Sequence, residues 1–365
     1  MKHRPLIVLA VITASGAAWL CWFFFKQEPD AITPHAVTRQ TAQTQAPLTS
    51  QPAKPAGPWP EFGTPEFKTM ALERGRRWLE SRGRDSGSLI AAWDITGEEA
   101  LLLEAAEKFP NDPRVCLSMI QHAGKDAEAA LPWIERLIAT EPENPSGHYL
   151  KVSALMQQKD RPAALAALRM AVALKGPNND HLRDRILTVR EAALASGAGI
   201  REAAQLALVG PLSHTTAYQT FAGASRVLRE EIAEAKAVGD QERLVELAGL
   251  GMATVAHTAG GSSKSLIDEL VGVAVEKAVL LELQGDTEFG TTGRTVAQQL
   301  EDLDQRRTRM SEFLEQSTAS ESIFNDASDA QVAEYTDRFL LHGERSARVW
   351  LQEQFPGEEQ FPDAR

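Results

Sequence analysis

Cysteine is nearly absent. Cys21 and Cys116 are the only two in 365 residues, and one lies in an N-terminal apolar stretch while the other lies in a helical region. They cannot pair with each other, so neither a disulfide framework nor a cysteine-rich zinc site is available. Histidine is scarce and scattered: His3, His35, His122, His148, His181, His214, His257 and His342 never fall three to five apart. No helix therefore presents a histidine pair to a metal, and HExxH is missing. A G-x-S-x-G elbow is missing too, and "SHTTAY" at 213–218 sets serine beside histidine without the strand–turn–helix that would aim them. Past residue 64 there is no sustained alternation of apolar and polar residues, which argues against strands.

Basic charge is in deficit, with a formal net charge of −12. Three of the basic residues, Lys2, Arg4 and Lys26, fall in the first 27 positions, where there is no acid, so the remainder is more acidic still. Such a surface repels phosphate backbones, and no nucleic-acid partner is expected. The run Arg74, Arg76, Arg77, Arg82 and Arg84 is the one local exception.

One glycine-containing segment invites a phosphate-loop reading and fails it. "HTAGGSSKSL" at 257–266 has Ser263 where such a loop needs glycine before Lys264, and it follows a helical segment instead of a strand. A helix stop followed by a serine cap fits it better. Cys116 near His122 suggests a thiol nucleophile only superficially, because Val115 and Leu117 make it a small core filler. No catalytic, metal or cofactor site is expected.

What is present begins with an address. From Pro5 to Phe25 the chain is uncharged for 21 residues, roughly 30 Å as a helix and enough to span a hydrocarbon core. It ends in Trp19, Trp22, Phe23, Phe24 and Phe25, a bulky edge suited to a membrane interface and unlike the small-residue site of a cleaved signal peptide. An uncleaved anchor through residues 5–25 is expected. Basic residues remain on the cytoplasmic side, so the expected location is a bacterial inner membrane, with the bulk of the chain extracytoplasmic. Residues 27–60 are rich in proline, threonine and glutamine and read as a mobile spacer.

The remainder reads as helices with short breaks at "GPNND" (176–180), "SGAG" (196–199), "VGD" (238–240) and "AGGSS" (259–263). Short breaks favour antiparallel hairpins. Pro110, Pro142, Pro177 and Pro211 recur at intervals of 32, 35 and 34, the length of two helices and two turns. The first three are expected to close helices. Small residues recur where helices must approach: Ser118 with Ala130, then Ser153 with Ala164.

Over residues 111–177 this pattern resembles the tetratricopeptide repeat, with Arg114 standing where the repeat has an aromatic. The resemblance implies an all-α solenoid of stacked antiparallel hairpins and a groove lined by the first helix of each hairpin. Helical phase then nominates Arg114, Ser118, Gln121, His122, His148, Lys151 and Gln158 as groove-facing. The expected organisation is a membrane anchor or signal peptide at 1–26, a linker at 27–60, a repeat region at 61–210, further hairpins or a bundle at 211–354, and a tail at 355–365. The expected role is a non-catalytic scaffold or adaptor binding another protein. Its alternatives are an envelope hydrolase with a site assembled across helices, or a self-associating spacer.

Overall fold

A computed structural model describes residues 65–213, 217–259, 266–283, 293–319 and 327–355. The expected membrane stretch 5–25, the spacer 27–60 and most of the tail lie outside them. The described residues form fifteen α-helices and no strand. No described helix is long and apolar enough to cross a membrane.

The first seven are α1 (Pro65–Arg82), α2 (Ser86–Thr96), α3 (Glu99–Lys108), α4 (Pro113–Ala123), α5 (Ala127–Thr140), α6 (Pro145–Gln157) and α7 (Arg161–Ala173). Next come α8 (Leu182–Ala195), α9 (Ile200–Ser213), α10 (Ala217–Val238) and α11 (Gln241–Ala259). The last are α12 (Leu266–Leu280), α13 (Val296–Ala319), α14 (Asp329–His342) and α15 (Glu344–Glu353).

Local chemistry sets the repeat. Asp112 and Asn144, 32 residues apart, cap α4 and α6 by accepting the backbone N–H of Arg114 and Ser146. Pro113 and Pro145 follow at the first helical turn, where their missing N–H costs nothing. Asp126 and Asp160 cap the second helix of each hairpin through Ala129 and Ala163. Pro110 and Pro142 lie just beyond the ends of α3 and α5, and Pro177 follows α7. Pro211 departs from this scheme, as it lies within α9, which runs on to Ser213. The 210/211 division therefore falls inside a helix.

The helices pack mainly as neighbouring pairs: α1 with α2, α4 with α5, α6 with α7, α8 with α9, α11 with α12, and α14 with α15. The stack does not simply advance, however. Consecutive helices α7 and α8 do not pack as a pair; α8 returns to lie on α1 and α2, and α10 lies along α6. At that crossing a Cβ on Gly223 of α10 would come within 2.5 Å of the Ser153 Cα. Glycine is what lets the two backbones meet.

Two main cores result. One joins α1–α3, α8, α9, α14 and α15 around Leu89, Leu102, Ile186 and Val189. The other joins α6, α7, α10, α11 and α12 around Tyr149, Leu168, Phe221 and Leu247. Each fully buried side chain of this size contributes roughly 1.5–3 kcal/mol over leaving it in water. Because α2 is enclosed by α1, α3, α4, α8 and α9, its segment "SLIAAWDI" is buried all round.

Candidate functional site

Residue by residue, the nominated groove positions are mostly engaged by the chain itself. Ser118 is fully buried, and its hydroxyl has no hydrogen-bond partner. Gln121 accepts a 3.0 Å bond from Nη1 of Arg185 on α8. Arg114 donates to Asp112 Oδ2 at 2.7 Å and to Ser86 Oγ at 3.1 Å. His122 faces Glu99 at 3.2 Å, and Lys151 faces Glu135 at 2.6 Å. His148 is half-buried beside Lys151, and both burial and that ammonium push its pKa down. Gln158 is exposed at the end of α6. Gln121 thus lies under the returning α8 and Ser118 is buried, whereas His122, Lys151 and Gln158 are not brought together.

The reason is a buried ionic key. Asp94 of α2 and Arg185 of α8 are 91 positions apart, with their side chains 0% and 3% exposed. Arg185 Nε donates to Asp94 Oδ2 at 3.2 Å, its Nη2 donates to Oδ1, and the guanidinium lies 5.8 Å from the Trp93 ring centroid. The fork of arginine suits two-point recognition of a carboxylate, and the low-dielectric setting makes leaving either charge alone costly. A second buried carboxylate, Glu231 on α10, takes Arg161 of α7 and Arg243 of α11.

A polar fastener lies at the turn between α5 and α6. Asn144 donates from Nδ2 to Glu141 Oε2 (2.7 Å) and the Asn179 carbonyl (2.8 Å), and its Oδ1 accepts from the Asn179 N–H. Ser146 Oγ donates to the Asn179 carbonyl at 3.0 Å, and His181 Nε2 meets Glu141 Oε1 at 2.8 Å. A Cβ on Gly176 would come within 2.2 Å of the Glu143 carbonyl oxygen, so this loop presses directly on the turn. At the preceding turn, burial alone would raise Asp112. Hydrogen bonds from Arg114 and Ser86 outweigh it and hold the carboxyl down at about 2.

These contacts also define the chemistry. Burial pushes the Cys116 thiol up to about 11, and it donates to the Pro110 carbonyl, so it stays protonated at neutral pH. Tyr149 is fully buried with its hydroxyl 2.8 Å from Nδ1 of His257, whose pKa burial lowers. That pair links α6 to α11. Among the described residues no group of three or more His, Cys, Asp or Glu side chains is arranged to hold a metal ion. In the arginine run, Arg74 pairs with Glu202, Arg77 with Glu73, Arg82 with Glu191 and Arg84 with Glu104. That exchange removes the free basic patch.

Asp94 and Arg185 carry the closure, and the nominated set did not include them. A lone acid inside the otherwise apolar "SLIAAWDI" was the available signal. No known protein family matches the chain, and neither a curated protein nor a solved structure matches it.

Proposed function

We propose that this chain is a non-catalytic helical scaffold that binds another protein, tethered to a membrane by its N-terminal apolar stretch. The observation that carries this reading is the packing of helices in neighbouring pairs, with capped hairpins repeated at an interval of 32 residues. Repeated hairpins give broad, rigid faces without a reactive centre, and such faces suit partner recognition through shape and hydrogen bonds. α8 lies on α2 and α10 lies along α6, so the partner meets the faces these helices leave open. A net charge of −12 favours basic partner segments.

The test is affinity capture with the full-length chain from solubilised membranes, followed by reconstitution from the two purified proteins. A stoichiometric complex that weakens with salt is expected. Reproducible absence of any reconstituted complex, beside a working positive control, overturns the reading. Sedimentation of the purified chain alone distinguishes a self-associating spacer from an adaptor.

A further inference from the structure

The segment Leu174–His181 is where the chain leaves the hairpin stack and turns back. α7 and α8 do not pack as a pair; the α5–α6 turn grips this crossover through Glu141, Asn144 and Ser146, and His257 of α11 bonds the Leu174 backbone. His181 sits at the junction in the left-handed region (φ +54°), with its side chain 13% exposed and its ring on Glu141. The charged groups around it are Glu141 from the turn and Asp180 and Asp184 from its own segment, the last 3.9 Å from Nδ1. Asp112 of α4 acts in turn on Glu141, and Arg114 of α4 interacts with Asp184.

We propose that the Glu141–His181 contact is a proton-operated latch on this crossover, closed in mild acid and loosened as pH rises. In the closed form His181 carries a proton on each ring nitrogen, and its Nε2–H makes a charge-assisted bond to Glu141. In the open form the imidazole is neutral, the ion pair is lost, and of the turn's contacts those of Asn144 and Ser146 remain.

The direction follows from linkage. Burial alone would lower the His181 pKa, but Glu141, then Asp184 and Asp180, outweigh it and leave the group above its ordinary 6.5. A raised histidine contributes stability that is full below 6.5 and lost as pH rises through its folded value. Burial would likewise raise Glu141, but the His181 and Asn144 hydrogen bonds outweigh it and leave the group below 4.5. Its contribution is present above 4.5 and lost as pH falls through the folded value. Both contributions coexist from about 4.5 to 6.5.

The experiment is hydrogen–deuterium exchange by mass spectrometry on the full-length chain at pH 6 and pH 8, corrected for intrinsic exchange. A peptide covering 174–182 is compared with one from α10. The Asn179 amide, which donates to Asn144, and those of His181 and Leu182, which donate within this loop, should lose about tenfold in protection at pH 8, while α10 stays constant. His181→Asn keeps a residue tolerant of the left-handed backbone and should abolish the pH dependence. Exchange at the imidazole carbon of His181 should give a midpoint above 6.5 that falls in Glu141→Gln. Equal protection at both pH values, pH dependence surviving in His181→Asn, or a midpoint indifferent to Glu141→Gln would each overturn the latch.

Discussion

Replacing Arg185 with methionine should destabilise the fold by about 3–5 kcal/mol, the usual consequence of stranding one partner of a buried pair. The structure sets that scale. Asp94 has no exposed side-chain surface, so without its guanidinium the carboxylate must stay charged in a low-dielectric core or take up a proton. At pH 7 protonating an ordinary carboxyl costs about 4 kcal/mol, which falls within that range. Against a typical stability of 5–15 kcal/mol this is a large fraction, and it corresponds to roughly 10 °C in melting temperature. Circular dichroism at 222 nm follows the loss. Trypsin cleavage at Lys175, exposed in the crossover, reports whether α8 has lifted from α2. Adding Asp94→Leu to Arg185→Met should bring stability back to within about 1–2 kcal/mol of the starting protein, because both charges are then gone. A single variant costing under about 1 kcal/mol, or a double variant costing the sum of the singles, refutes the assignment of this pair as the key that seats α8.

Gly223→Ala should destabilise by about 1–3 kcal/mol, since its Cβ meets the Ser153 backbone, which cannot swing aside; chemical denaturation measures it. Ser118→Ala should be neutral or stabilising by about 1 kcal/mol, because the buried hydroxyl has no partner to lose, whereas Leu117→Ala beside it should cost about 2–5 kcal/mol. Asp112 is held at about 2 against an ordinary 3.8, so it contributes roughly 2 kcal/mol, present above pH 4 and lost as pH falls through 2. Acid melting curves of Asp112→Asn should accordingly lack that limb. A chain ended at Lys175 should aggregate or lack a cooperative melt, because it exposes the faces of α2 and α6 that α8 and α10 cover.

The helices and their breaks were legible because caps and stops act over three or four residues. Asp112-Pro113, Asn144-Pro145 and Asp160 announce their helices locally, and "SGAG" and "VGD" end theirs. Pro211 keeps the interval without stopping its helix, because position within a helix decides a proline's effect. It sits near the end of α9, where little of the helix remains to be disrupted. The nominated set drew on helical phase within a single hairpin, which identifies a face but not what will cover it. The covering depends on Asp94 meeting Arg185 across 91 positions and Asn144 meeting Asn179 across 35. Neither separation leaves a periodic trace.

An open solenoid and this closed arrangement can share the same hairpins and differ in how stability is distributed. In the open form each hairpin answers only to its neighbours, so stability is nearly a sum of local terms. Here α2 is buried on all sides only when α8 is in place, and α6 gains its third neighbour only from α10. Glu231 then joins α7, α10 and α11 through Arg161 and Arg243. Hairpins distant in sequence are therefore coupled through the returning helices, so the stack resists being opened one repeat at a time. The proposed partner would gain access to the inner faces only by displacing buried charge as well as apolar surface, and the outer faces would offer binding without that cost.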